Sequence, residues 1–429
     1  MSKKVRTLSL AALVFLTVSG GPYGLEPLLS SAGAHSAFLL LLLTPLLWDV
    51  PTIAVVLELN SMMPVTGGYY HWVKRAMGLR WAFYEGWWTW LYTFVDLAIY
   101  PVLFVTYASF LYPPLLAYKI PVCLGVIWLS ALVNIRGIVP VGKASVVLAT
   151  LVVMPFLILF GMVMWHHPFS VPAQHFHNSS FSAVGLAVYT IMWNFIGWDN
   201  VTTYAREVER PVRSYIVSVS LAFATIVIIY FLAIYAAVQT GISAETLQDK
   251  GFPAVGMLVG GQWLATLIAA GGMASTLGLY FSVLLSVSRI PEVMAKDHLL
   301  PQKLDKLHPK YGTPYISIIT CSVVVSVMIL FTFESLIIID VSVYGAALFL
   351  EYIALIRLRK IAADEHRPFK IPLEKAGLIC MTLLPVAVYS IAMISAFISD
   401  GNTLKPVLFA IGALVSAEVV WRVVGRIRN

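Results

Sequence analysis

The chain has 429 residues, 59% of them hydrophobic and only 11% charged, with a mean hydropathy of +0.86. Soluble domains carry about a quarter charged residues, so the composition excludes a water-soluble protein and indicates a polytopic membrane protein. The net charge of +7 raises nucleic-acid binding, which the placement of the basic residues then argues against.

Twelve hydrophobic segments follow in chain order, at approximately 8–31, 37–62, 82–112, 120–135, 144–165, 181–204, 213–239, 262–288, 314–333, 335–356, 376–398 and 403–424. Most reach the ~20 residues that span a bilayer. The first follows Lys3-Lys4-Val5-Arg6 and reads as a retained span, because no small-residue cleavage site leads into a soluble chain. With the N-terminus inside, 25 of the 28 Lys and Arg fall in loops on that side, and only Lys119, Lys250 and Lys405 lie opposite. The positive-inside rule therefore predicts cytoplasmic N- and C-termini. The +7 is a topology signal, and no nucleic-acid partner is expected.

Segment 1 is interrupted by Ser19-Gly20-Gly21-Pro22-Tyr23-Gly24, which cannot stay helical cheaply. Segment 6 carries a weaker interruption at Asn194-Phe195-Ile196-Gly197-Trp198-Asp199-Asn200. Non-helical backbone inside a bilayer survives where protein or a watery cavity covers it. Two breaks five segments apart point to an inverted-repeat transporter with its substrate near the midplane. Glycine and proline kinks that serve only close packing are the competing explanation.

Asp49, Glu58, Asp96, Asp199, Asp340 and Glu351 fall within spans and Glu26 follows the first break, with no deep basic residue to pair with them. Intramembrane acids are costly and normally functional. The excess suits a cationic substrate, a coupling ion or protons. Glu26, Asp96 and Asp199 are the foremost candidates, then Asp49 in Trp48-Asp49-Val50-Pro51. Glu58 and Glu351 lie near cytoplasmic ends, where loop Lys or Arg would pair with them, and Asp340 lies in the outer part of its span. Among the aromatics, Trp193 and Trp198 bracket the second break, and an aromatic face beside a carboxylate can hold an ammonium and close over it. Tyr23 and Tyr280 lie at the same level.

The remaining motifs are weak. His166-His167, His175 and His177 sit in a Pro- and Ser-containing loop without helical spacing or an acidic partner, so a solvated loop is expected there and no metal site. Asn178-Ser179-Ser180 is a glycosylation sequon on the outer side. Cys123, Cys321 and Cys380 are far apart and read as buried small hydrophobes.

Seven stretches together resemble the amino acid, polyamine and organocation (APC) superfamily of transporters, and within it the plant-type polyamine uptake transporters. They are SGGPYGLE at 19–26, LELNSMMPVTGGYYHWVKRAMG at 57–78, EGWWTWLYTFVDLAIYPVLF at 85–104, NIRGIVPVG at 134–142, WNFIGWDNVTTYAREVERP at 193–211, SRIPEVMAKDHLLP at 288–301 and GTP at 312–314. The resemblance implies an all-α LeuT-type fold of twelve helices. Residues 1–165 would form the first inverted repeat, 166–375 the second, and 376–429 two peripheral helices and a tail.

The resemblance also implies that amides of the first break bind a substrate carboxylate and carbonyls of the second bind its amine when the cargo is an amino acid. A polyamine brings no carboxylate and needs side-chain acids instead. The implied substrate site comprises Gly20, Gly21, Tyr23, Gly24, Glu26, Asp96, Asn194, Gly197, Trp198 and Asp199, with Trp193 and Tyr280 as pocket or gate aromatics. Some proton-coupled members carry a lysine deep in segment 5; here only Lys143 stands at its start, with Thr150 and Val153 inside. Asp49, Ser275 and Thr276 are the ion-coupling candidates, with protons favoured over sodium. No cofactor is expected.

These readings converge on a plasma-membrane importer of cationic amines, with an amino-acid carrier of the same superfamily and a non-transporting receptor or subunit as alternatives. An embedded enzyme lacks a nucleophile, base or metal set. Nothing in the sequence fixes an oligomeric state.

Overall fold

The computed structural model describes residues 4–166, 180–330, 333–398 and 404–428. α1 (Thr7–Val18) ends at Ser19, and α2 (Pro27–Thr44) begins at a proline, which a first helical turn tolerates because its N–H has no partner to lose. Gly33, at φ 70°, interrupts α2 again. The expected first segment is thus α1, a break over 19–26 and a short piece over 27–32, and the second starts at 34 rather than 37. A π-turn over Pro45–Asp49 leads into α3 (Val50–Met62) and carries Asp49. Such turns open the regular ladder and are frequent at functional sites.

α4 (Gly68–Met77) is a short amphipathic helix too polar for the sequence reading to count as a span. The long α5 (Leu79–Leu111), α6 (Lys119–Ile135) and α7 (Ile138–His166) follow. α8 (Phe181–Trp193) then stops, where the sixth segment was expected to run to 204. Beyond a non-helical stretch over 194–199 the chain makes only 3₁₀ turns at Asn200–Thr203 and Ala205–Glu207. The cause is local: Thr202 Oγ1 donates to the Asp199 carbonyl (2.7 Å) and Thr203 Oγ1 to that of Asn200 (2.9 Å), an alternative to helix bonding.

α9 (Pro211–Gln239) precedes two short helices, α10 (Ala244–Lys250) and α11 (Phe252–Gly260). α12 (Gln262–Val287), α13 (Arg289–Lys296), α14 (Tyr315–Met328), α15 (Phe333–Ile361), α16 (Lys375–Ile398) and α17 (Leu404–Arg428) complete the chain.

Eight helical stretches among the described residues are long and apolar enough to cross a membrane: α2 with α3, α5, α6, α7, α9, α12 with α13, α15 and α16. Burial separates centre from periphery. The apolar windows of α5, α12 and α15 are 61%, 78% and 72% buried, against 28% for α6, α7 and α16, so the first three form the core. The outward faces of the others expose Leu129, Leu132, Val147, Leu151, Leu383 and Ile394. In water such surface would drive association; against lipid tails it is matched. The same logic corrects one expectation: Cys123 and Cys321 are buried, but Cys380 on α16 is exposed. The histidine loop and the sequon lie outside the described residues, except for the backbone of His166, which ends α7, and Ser180, whose Oγ caps α8 by accepting from Ala183 N–H (3.2 Å).

Backbone pairing ties the N-terminal segment and the turn before α4 to the chain that follows α8. Val5 N–H donates to Glu207 O (2.9 Å), Glu209 N–H to Val5 O (3.0 Å) and Gly67 N–H to Thr203 O (2.8 Å). Arg289, only 2% exposed, pairs with Glu207 (2.6 Å) under the Tyr204 ring. Nearby, Lys74 and Tyr70 both hydrogen-bond Asp297. Burial pushes that carboxyl up, but these bonds outweigh it and hold it below its ordinary value.

Candidate functional site

The two breaks face each other across the core. Asn194 Nδ2 lies 3.4 Å from Gly24 O, and the Tyr230 hydroxyl of α9 bridges Ser19 Oγ (2.6 Å) and Asn194 O (2.9 Å). Two positions demand glycine on two counts. Gly24 has φ 97°, and a methyl carbon there would lie 2.6 Å from the Trp193 ring; Gly197 has φ 102°, and the same carbon would lie 3.3 Å from Thr17 O.

Two glycine amides of the first break are already taken. Gly21 N–H donates to Ser19 Oγ (3.0 Å), and Gly24 N–H donates to Glu26 Oε2 (2.6 Å). Glu26 Oε1 accepts from Tyr107 of α5 (3.0 Å). The protein's own carboxylate therefore occupies the Gly24 amide. Tyr23 spends its hydroxyl on Ile268 O (2.6 Å) and packs edge-on against Tyr107 and Phe156, pinning the break to α12.

Asp96 accepts from Tyr100 one turn along α5 (2.6 Å). Asp199 accepts from Tyr344 of α15 (2.9 Å), whose oxygen is 3.3 Å from Gly197 N. Asp49 is fully buried, with Oδ1 accepting from Trp198 Nε1 (2.9 Å) and Oδ2 unpartnered. Gly20 abuts α12, where Ser275 Oγ is buried beside it without a hydrogen-bond partner.

Not every expected residue joins this cluster. Trp198 packs toward Asp49 and Phe223 of α9, while Trp193 covers Gly24. Tyr280 sits beside Cys321 and Ser322 of α14. Thr276 bonds carbonyls of its own helix, Gly272 and Met273 (both 3.1 Å), which marks it as the weaker of the two hydroxyl candidates.

Four residues were missed or misread. Glu58 pairs with Arg359, in the last turn of α15, and with Arg367 of the loop that follows, whereas Glu351 meets no cation and pairs only with another acid, Asp199. Glu85 and Tyr107 drew no attention, although they stand eleven residues before and after Asp96, three helical turns away on one face of α5. Asp340 is fully buried beside Asp96. Among the described residues no group of three His, Cys, Asp or Glu side chains is arranged to hold a metal ion.

The family model described as amino acid permease matches residues 5–417, nearly the whole chain. The chain belongs to the amino acid permease family. Polyamine transporter RMV1 of Arabidopsis thaliana is 31% identical over 97% of this chain and 84% of its own length. Polyamine transporter PUT1 of Oryza sativa subsp. japonica is 30% identical over 98% of this chain and 78% of its own. The serine/threonine exchanger SteT of Bacillus subtilis (strain 168) is 23% identical over 87% of each. This permease is therefore an integral, multi-pass membrane transporter and not an enzyme.

Proposed function

We propose that this permease imports polyamines or related cationic amines by alternating access, driven by protons through a carboxylate. The observation that carries the substrate class is Glu26. Its side chain holds the Gly24 amide, so the site supplies internally the negative charge that an amino-acid cargo would bring. Asp96 and Asp199 lie in the same core without a cationic side chain hydrogen-bonded to them, and an amine cargo complements all three. Two relatives carry the name polyamine transporter, which supports the same reading.

In this reading the chain crosses the plasma membrane twelve times, with α1, α8, α14 and α17 added to the eight long stretches and both termini cytoplasmic. Helices up to α7 form one repeat, those from α8 to α15 its inverted counterpart, and α16 and α17 are peripheral. Inward opening parts the Val5–Glu207–Glu209 and Gly67–Thr203 contacts. Outward opening parts Glu26 from Tyr107 and lifts α11, whose Phe252 packs edge-on against Phe156 (5.4 Å). Glu26 and Asp199 thus lie where access changes. Asp49 and Ser275 stand as coupling positions, Asp49 being the one of proton-carrying chemistry.

The test is purified full-length protein in liposomes, assayed with labelled putrescine, spermidine and a neutral amino acid under imposed proton or sodium gradients. Amine uptake accelerated by a proton gradient is the expected result. Uptake of the amino acid alone overturns the substrate class, and ligand binding without flux overturns transport.

A further inference from the structure

α5 and α15 carry matching polar rows. On α5, Tyr92 stands four residues before Asp96 and seven after Glu85; on α15, Tyr344 stands four after Asp340 and seven before Glu351. The helices run antiparallel, since α5 begins and α15 ends at the basic end, so the rows are in register. Tyr92 and Tyr344 meet edge-on with centroids 5.3 Å apart. Asp340 is an electrostatic neighbour of Asp96, and Glu351 of Glu85 and Asp199. Within each helix the two acids are eleven residues apart, three turns on one face and about 16 Å along the axis at 1.5 Å per residue.

A second observation sets these pairs apart from an ordinary acidic cluster. Both oxygens of Asp340 and Oε2 of Glu85 have no hydrogen-bond partner in the protein, Glu351 meets only another acid, Asp199, and all three side chains are 0% exposed. A buried ionised carboxylate without a cation costs several kcal/mol, and at membrane depth such groups mark substrate or ion pathways. The set is not arranged to grip one metal ion. Two acidic stations joined by an aromatic strip match a cargo with charges at both ends and an apolar middle.

We propose that the Asp96–Asp340 and Glu85–Glu351 pairs are two ammonium stations that hold opposite ends of one linear oligoamine, with its methylene chain along Tyr92 and Tyr344 and an internal amine at Asp199. The reach of the two stations matches an extended tetra-amine, whereas a diamine occupies the Asp96–Asp340 station alone. This assignment rests on the amine-transport reading and adds selectivity for chain length, with Glu85, Asp340 and Glu351 as its determinants.

The test uses full-length protein in liposomes, with inhibition of labelled spermidine uptake measured for putrescine, spermidine and spermine. In wild type, apparent affinity rises about tenfold or more from diamine to tetra-amine, the discrimination of one added charge contact. In Glu351→Gln that gain falls below about threefold while the putrescine value stays within about twofold. Glu85→Gln gives the same result from the other helix and replaces Glu351→Gln if that variant does not fold. A wild-type protein that moves amines without length preference, or variants that lose diamine and tetra-amine equally, overturn the two-station assignment alone. Absence of all amine binding and uptake overturns the underlying function as well.

Discussion

Glu58 on α3 and Glu351 on α15 are both fully buried glutamates on helices that touch, yet their surroundings are opposite. Glu58 accepts two short bonds from Arg359 (2.6 Å each) and one from Ile371 N–H (2.8 Å), with Arg367 3.4 Å away. Glu351 meets no cation and no hydroxyl or amide donor; its partner is another acid, Asp199, and it also feels the charge of Glu85. A carboxylate whose lone pairs are all met holds the fold; one that meets only other acids is, under the proposed function, unfinished until a cation arrives. Burial alone does not separate the two roles. The presence of an internal cation does.

The largest expected effect tests the finished partner. Glu58→Ala leaves two arginines without their shared acid and destabilises the protein by about 3–5 kcal/mol, whereas Glu351→Gln relieves repulsion and keeps stability within about 1 kcal/mol of wild type. Thermal unfolding in detergent reads both; equal losses would erase the distinction. Next, Asp199→Asn lowers polyamine uptake about 100-fold, since losing one partner of a buried charge pair costs some 2–5 kcal/mol, and spares a neutral amino acid if one is carried. Equal loss of both cargoes would assign Asp199 to structure.

Gly24→Ala forces a side chain into a left-handed backbone position against Trp193 and costs about 1–3 kcal/mol. The matching Gly78→Ala also has positive φ, but nothing lies within 4 Å of its added carbon, so the strain is felt without the clash. A Gly24 variant no worse than the Gly78 variant would remove the packing argument.

The smallest effect concerns the basic end. The Asp297 pKa is depressed in the folded state, so its contribution is present above the ordinary aspartate value of ~3.9 and is lost as pH falls through the lower folded value. The pair with Lys74 is partly exposed and contributes ~1 kcal/mol or less. Asp297→Asn should flatten the acid limb of a stability profile by that amount and leave neutral pH uptake of amines within about twofold. A profile unchanged by the substitution would show that the ion pair does not contribute.

Much of this was legible in the sequence because membrane burial leaves a strong compositional trace. The break at 19–26 follows from three glycines and a proline, and the polar stretch from Asn194 signals the second. The end of helix beyond Trp193 was less legible: threonine and asparagine side chains take over local hydrogen bonding there without proline to announce it. Glu351 was misread because position near a helix end resembles that of Glu58, and only the fold shows that Arg359 and Arg367 both reach Glu58. Glu85 was hidden by its place in an aromatic run, although its eleven-residue spacing from Asp96 was present in the sequence. Tyr280 illustrates the converse error, since sequence level within the membrane does not specify which neighbour a helix face meets.

The central claim is that the bare carboxylates of the core await an amine. Ligand-induced thermal stabilisation of the purified full-length protein tests it directly, because a ligand that binds only the native state raises its apparent stability. Spermidine and putrescine should raise the unfolding midpoint, neutral amino acids should leave it unchanged, and Asp199→Asn should abolish the spermidine shift. A midpoint raised by a neutral amino acid and unmoved by any polyamine would contradict the account.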